Sequence, residues 1–457
     1  DYSDDEIVEN LMLDLHLQYA LHTTSFAEQP ISDKTLSRFR KRCYNYETLH
    51  GVDLYHDCVK DLSSKIAKIM KLNGRIRRMD SIMIESNIRV LSRMELIYTC
   101  ISKLVVYLAK GYPDKVPEQL RHYADPNDYN RVFYHQRNDD MDEIIRTLLT
   151  DSECLLKLCE TDFEEVTEYQ LFVRCISEQT VVENEKRRLR TREDGTMNSS
   201  ALQNPSDPDA TYRNKSGKQY RGYTANIEET VGRNGSVVTD YQFDKNTHTD
   251  SHFLQEYLSA MERSEEESVL VTDGAYDGQD NIALAEEKNV KLVTTALVGK
   301  EAPDALADFE FNEDGTRLLK CAAGHEPVSQ SYTKTTRQCR VSFDRNHCVD
   351  CPYQNQCRPK IYKKVATFIT SKNASNRAKS QRYMQSEEFR DLARLRNGVE
   401  TIPANIRKNY HLNKLPRGKQ RGKFFFGSKI AALNFRKLFG FRNGLGNYAQ
   451  NPILAYA

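Results

Sequence analysis

"VLVTDGAYDG", residues 269–278, is an apolar run of strand character that ends on a bare carboxylate. Val269, Leu270 and Val271 are too few for a helix and rich in β-branching, so they read as a short buried strand. Asp273 and Gly274 stop that strand. "GQDNIALAEEKNV" then resumes with helical spacing through Ile282, Leu284 and Ala285. In open α/β sheets, chemistry gathers outside the carboxyl ends of strands. The competing reading of Asp273 is a cap on the element that follows it.

Working outward, strand-like "VKLVTTAL" (290–297) follows the helix, and a helix near 250–262 precedes the opening strand. Upstream, "YRGYTANIEETV" and "GSVVTDYQF" joined by "GRNGS" read as a hairpin. In the first half the best strand is "GRIRRMDSIMIESN", residues 74–87, carried by Ile76, Met79, Ile82, Met83 and Ile84. Residues 1–72 and 88–192 are helical in pattern, and 193–218 are rich in Gly, Ser, Asn, Asp and Pro and read as loop. Strand, hairpin, helix, strand, helix, strand describes a mixed α/β sheet with helices packed on it. About 120 mostly helical residues are inserted between its first strand and the hairpin.

The 457 residues, 29% charged and 9% aromatic, are those of a folded chain with room for two or three domains. No apolar run approaches the roughly 20 residues of a membrane span, so no membrane partner is expected. The opening "DYSDDEIVEN" has neither the basic nor the apolar region of a signal peptide, which makes the cytoplasm the expected compartment. The net charge of +1 conceals an asymmetry. Residues 358–457 hold 22 Lys and Arg against 4 Asp and Glu, and residues 1–357 hold 44 against 61. A basic end on an acidic body points to a polyanionic partner, or to a tail that docks on its own chain.

Three carboxylates stand out by position. Asp80 lies in the first strand, Asp273 ends a later one, and Glu400 falls on a probable helix in "RLRNGVETIPANIRKNY". Two Asp on neighbouring strands and a Glu on a covering helix can hold two divalent cations about 3.5–4 Å apart. Oxygen ligands of this kind suit Mg²⁺. Asp207 and Asp209 in "SDPDA" are alternatives for the first carboxylate, with turn chemistry as their plainer reading. Pro403, three residues past Glu400, is expected to kink or end the helix there.

"RRMDSIMIESN", "SDPDATYRNKSGKQYRGY", "VTDGAYDGQDN" and "RNGVE", in that order, resemble the DDE transposases of bacterial insertion sequences. The resemblance implies an RNase H-like catalytic fold with Asp80, Asp273 and Glu400 as the catalytic, metal-holding carboxylates and Arg396 ahead of the Glu. It implies strand cleavage and strand transfer at element ends with two Mg²⁺ or Mn²⁺ ions, double-stranded DNA (transposon ends and target) as partner, and a homo-oligomer, a dimer on DNA, at the bacterial nucleoid. The sequence departs from the family at Ala393, where a Tyr is common. On this reading residues 1–72 are a helical domain for DNA binding or assembly, 73–88 the first catalytic strand and 89–200 a helical insertion. Residues 201–310 are then the catalytic core, 311–360 a cysteine-rich, zinc-ribbon-like module, and 361–457 the Glu-bearing helix with a basic DNA-contacting region.

Of 11 cysteines, Cys43, Cys58, Cys100, Cys154, Cys159 and Cys175 are scattered through helical stretches and read as buried thiols. "HCVDCPYQNQC" places Cys348, Cys351 and Cys357 close together, and with Cys321 they make a tetrahedral Zn²⁺ site reasonable. Cys339, His325 and His347 are substitutes for one ligand. Arg396 and, in the tail, Arg407, Lys408, Arg417, Lys419, Arg421 and Lys423 are assigned to DNA binding, the tail's basic residues to phosphates. Phe424, Phe425, Phe426, Ile430, Leu433, Phe435 and Leu438 are assigned to the core of a final helix. "LSRFRKR", with Arg38, Arg40, Lys41 and Arg42, is either a second DNA-facing helix or a solvated face.

Overall fold

A computed structural model describes residues 2–23, 31–32, 34–134, 141–297 and 299–445. The end of the 361–457 segment beyond residue 445 therefore lies outside the described residues. Five strands carry the architecture: β1 (Ile76–Ser86), β2 (Lys218–Gly232), β3 (Gly235–Lys245), β4 (Ser268–Thr272) and β5 (Val290–Thr294). They lie side by side in the order β3-β2-β1-β4-β5. β2 runs antiparallel to both β1 and β3, while β4 and β5 run parallel to β1. Two short strands extend this sheet, Thr211–Lys215 along the start of β2 and Lys414–Leu415 along the end of β1.

β1 shows why the sheet is covered on both faces. Successive side chains alternate between faces, so Ile76, Arg78, Asp80, Ile82 and Ile84 share one side and Arg77, Met79, Ser81 and Met83 the other. On the first side pack α5 (Glu387–Asn409), through Leu392, Leu395, Val399, Ile402 and Ile406, and α6 (Lys419–Arg442), through Phe426, Ile430 and Leu433. α1 (Leu54–Ile69) lies against α6 and contributes Val59 to the same core. On the second side, Met79 meets Leu254 and Leu258 of α3 (Asp250–Ala260) and Ala285 of α4 (Gln279–Glu287). Helix α2 (Arg93–Gly111) opens the insertion, which has its own core of Leu104, Leu108, Leu155 and Phe172. A third core, around Phe309, Val341 and Phe343, belongs to a four-stranded antiparallel sheet that includes Gln338–Asp344 and Val365–Thr370.

Several expectations need correction. α5 does not end at Pro403 but runs through it to Asn409, because Val399, Ile402 and Ile406 are all buried against the sheet. That burial outweighs the roughly 3 kcal/mol penalty of an interior proline. Phe435 is 52% exposed rather than in the core, although Phe426, Ile430 and Leu433 are buried. Of the six scattered cysteines, Cys100, Cys159 and Cys175 are buried, Cys43 and Cys154 half-buried, and Cys58 exposed.

The most demanding packing is polar. Arg78 is 3% exposed and its Nε donates to Glu229 of β2, which is wholly buried, at 2.5 Å. Lys437 of α6 also bonds Glu229, and Arg78 Nη1 donates to the carbonyl of Leu395 on α5 at 2.5 Å. These bonds join two strands and both covering helices. Removing one member strands the others, at about 3–5 kcal/mol for a buried pair. The neighbouring Glu228 faces the other way and accepts from Thr239.

The two glutamates titrate in opposite senses. Burial alone would raise both, but Lys437 and Arg78 hold Glu229 down at about 2. For Glu228 burial prevails over the pull of Arg77, and the carboxyl is pushed up to about 7. A folded-state value above the unfolded one means that stability is lost as pH rises from about 4.5 to about 7. In urea unfolding at pH 5 and pH 8, the wild-type chain is expected to lose more stability across that interval than Glu228→Gln. Equal losses in the two proteins contradict a raised Glu228.

Candidate active site

Asp80 stands mid-strand on the face of β1 that α5 covers. β1 and β4 pair in parallel through Ile76↔Val269, Arg77↔Leu270 and Arg78↔Val271. Continuing that register by two residues sets Asp273 level with Asp80, just where β4 has ended. Asp273 also caps the turn Gly274–Tyr276, its Oδ1 accepting from the Ala275 N–H at 2.8 Å. The cap and the strand-end readings of this residue therefore describe the same conformation.

Gly274 answers to a close backbone approach. A Cβ on it would lie 2.6 Å from the carbonyl oxygen of Ala296, so this position admits only glycine without backbone movement. Tyr276 pins the turn from below: it is fully buried and its hydroxyl donates to Asn226 Oδ1 at 2.6 Å. Asn226 sits opposite Ser81 on β2 and donates in turn to Gln242 on β3 at 2.7 Å.

The helix above supplies the other half of the site. Ser386 caps the start of α5 through the Phe389 N–H, and Glu387 and Glu388 occupy its first turn, where the helix dipole favours acids. Arg396 and Glu400, one turn apart, share a face. The Arg396 guanidinium lies among three carboxylates. Its Nη1 reaches Glu400 Oε1 at 2.5 Å, and its Nη2 lies 3.7 Å from Asp80 Oδ2 and 3.7 Å from Asp273 Oδ2. Its Nε is buried with no hydrogen-bond partner among the described residues. Burial pushes the Asp80 carboxyl up to about 6 against the pull of the same guanidinium.

The depth of α5 is set from β1. The Arg78 guanidinium that bonds Leu395 passes under Gly398, where a Cβ would come within 2.0 Å of its Nη1. The glycine of "RNGVE" is thus the gap through which a buried arginine grips the helix that carries Arg396 and Glu400. Sequence reading missed Arg78 and Glu229. The available signal was two arginines inside an apolar strand, immediately before Asp80.

Asp207 and Asp209 lie elsewhere. Asp207 is fully buried, accepts from Tyr223 OH at 2.6 Å and from the Ser86 hydroxyl, and fastens its loop to the far end of β1. Asp209 pairs with Lys245 at 3.1 Å. Neither is among the carboxylates around Arg396.

The basic residues of the tail divide into two sets. Lys419 pairs with Asp244 at 2.8 Å and Lys423 with Asp53 at 2.8 Å, while Arg407 donates to the Met83 carbonyl at 3.0 Å and Arg417 to that of Asn87 at 2.8 Å. Those four are engaged within the chain; Lys408 and Arg421 are exposed.

In the cysteine-rich segment, Cys321, Cys348, Cys351 and Cys357 line one cavity of about 30 Å³ together with His325 and His347. Burial, then the neighbouring thiols, raises Cys348 and pushes Cys357 up to about 11. The two histidine rings are stacked 4.0 Å apart. Cys339 is buried apart from them, its thiol on the Thr316 carbonyl at 3.3 Å. Among the described residues no group of three or more His, Cys, Asp or Glu is already arranged as a metal cage. At the carboxylates, the guanidinium stands between the oxygens.

Residues 320–439 match the family described as transposase DDE domain. That segment is similar to a DDE transposase domain. The matched segment includes Arg396 and Glu400 and all the clustered cysteines, while Asp80 and Asp273 lie upstream of it. A solved structure, the cryo-EM structure of a piggyBac transposase synaptic complex with hairpin DNA, aligns over 91% of this chain and 78% of its own at 13% identity. Its TM-score is 0.25, a likeness too loose to bear on fold or activity. No curated protein matches the chain.

The two choices for the first carboxylate carry different expected outcomes. Asp207→Asn is expected to lose about 1–3 kcal/mol by replacing one of the two oxygens that accept from Tyr223 and Ser86, while the folded protein still cleaves plasmid DNA. Asp80→Asn is expected to stop cleavage with the thermal midpoint held or raised. Cleavage by Asp80→Asn with none by folded Asp207→Asn would reverse the assignment.

Proposed function

We propose that this DNA transposase cuts and joins DNA at Asp80, Asp273 and Glu400, with two Mg²⁺ or Mn²⁺ ions held by those carboxylates. The observation that carries the reading is their convergence from β1, β4 and α5 on one guanidinium. A site that gathers three acids around a cation is built for positive charge, and hard oxygen donors suit these ions. Bound there, divalent ions would lower the pKa of a water or 3′-hydroxyl nucleophile and neutralise charge on the leaving oxygen. The chain's own contribution is placement. The parallel register sets Asp80 level with Asp273, the Tyr276–Asn226 bond holds the turn, and Arg78 fixes the height of α5. Arg396, freed when ions take the acids, keeps a cation beside the phosphate.

The strand order β3-β2-β1-β4-β5 with only β2 reversed supports an RNase H-like catalytic sheet, into which the helical and cysteine-rich segments are inserted. No described helix is long and apolar enough to cross a membrane. Double-stranded DNA, both element ends and target, is the substrate in this reading, engaged by a dimer of the chain, with Lys408 and Arg421 among the phosphate contacts.

Cys321, Cys348, Cys351 and Cys357 form a structural Zn²⁺ site in this reading. Four thiols facing one cavity of about 30 Å³ suit a single tetrahedral ion. Cys339 is excluded by its place under Thr316.

Supercoiled plasmid carrying candidate ends is expected to be nicked or linearised only with Mg²⁺ or Mn²⁺. Asp273→Asn is expected to abolish cutting yet bind DNA as well as wild type or better, since it removes a negative charge near phosphate. Cutting by Asp273→Asn, or by wild type in chelator, would sink the reading. Elemental analysis of purified protein is expected to give about one zinc per chain, absent from Cys351→Ser. Zinc-free wild-type protein that remains folded contradicts the zinc site.

A further inference from the structure

Four cations of the tail are engaged within the chain, and others face open space. Arg38 and Lys41 of the helix Thr35–His50 and Arg421 of α6 line one groove of about 780 Å³, together with Arg40. The carboxylates nearest to them are committed elsewhere: Asp4 to Arg40, and Asp53 and Glu47 to Lys423. Arg38, Lys41 and Arg421 have no carboxylate within ion-pair distance among the described residues. Three exposed, unpaired cations facing one concavity repel each other unless an anion enters.

The groove is also held to shape. Lys423 of α6 pairs with Asp53 at 2.8 Å and reaches Glu47 of the opposite helix at 3.7 Å, and Gln420 donates to Thr48 at 3.2 Å. Phe424 lines the groove together with Tyr44 and Phe425. Tyr55 is stacked on the face of Phe424 at 3.7 Å between centroids, and the Tyr44 ring meets it edge-on at 6.0 Å. A ring already covered in this way is no free platform for an unstacked base, as single-strand binding requires. What remains on offer is positive charge without base contacts, the chemistry of a duplex backbone.

We propose that the groove between the helix Thr35–His50 and α6 is a docking surface for the sugar-phosphate backbone of duplex DNA, with Arg38, Lys41 and Arg421 as its phosphate contacts. This rests on the transposase reading but uses none of the three carboxylates. It brings Arg421 of the basic tail and two cations of the N-terminal basic segment onto one surface. It also makes "LSRFRKR" part of a binding site rather than a solvated face.

The test uses the full-length chain and a fluorescein-labelled 30-bp duplex of arbitrary sequence, with binding followed by anisotropy over a range of salt. Arg38→Gln, Lys41→Gln and Arg421→Gln combined should reduce the slope of log affinity against log salt by about 2–3, near 0.9 for each phosphate no longer neutralised. Affinity at 0.1 M salt should fall at least tenfold. A charge-matched control, Lys110→Gln, Lys157→Gln and Lys186→Gln on the insertion, should stay within twofold of wild type. Equal weakening in the control, or an unchanged slope in the groove variant, overturns the proposal. Equal weakening on a 30-nucleotide single strand also overturns it, in favour of a single-strand site. Metal-dependent cutting by the wild-type chain is a separate readout, so either reading can fail without the other.

Discussion

Everything at the centre of this molecule turns on how three carboxylates can be kept together. Asp80 is largely buried, Asp273 is partly so, and both lie 3.7 Å from the same guanidinium nitrogen. Like charges in so dry a place drive one another to protonate unless a cation stands among them. Arg396 is that cation, and the upward shift of Asp80 despite it shows how strongly burial presses on the cluster. In the proposed function divalent ions take the place of the guanidinium among the same acids, so one arrangement would serve both the folded chain alone and the enzyme at work.

The cluster stays in register because a second, deeper set of ions holds the frame. Arg78 lies two residues before Asp80 on the same face, and it bonds the carbonyl of the residue immediately before Arg396. Movement of α5 relative to β1 therefore requires breaking a buried, charge-assisted hydrogen bond. Gly398 lets the two elements approach closely enough for that bond to form. Lys437 extends the network to α6, so the helix that bears Arg421 is tied through Glu229 to the strand that bears Asp80.

The pieces of this design that follow simple periodicity were legible in the sequence. Strand β4 was readable from Val269 to Val271, the hairpin from its glycines and asparagine, and Asp273 from its place at a strand end. Pairwise chemistry across the sheet was not readable. Arg78 and Glu229 are 151 residues apart, and nothing local in either segment announces the other. Pro403 misled because a helix rule that holds for an isolated segment was overridden by burial of Val399, Ile402 and Ile406 on either side of it. Phe435 misled because, in a helix with apolar residues on every side, spacing alone does not choose the buried face. In the basic tail, composition alone could not sort Lys419 and Lys423, neutralised by the body, from Arg421, which is not.

The most direct test is to grow crystals of the chain, soak them in Mn²⁺ and locate the ion by its anomalous scattering. The account predicts manganese between Asp80 and Asp273, with the Arg396 guanidinium displaced from the pair. Manganese at Asp207 or Asp209, or none at saturating concentration with Arg396 still among the three acids, would contradict it.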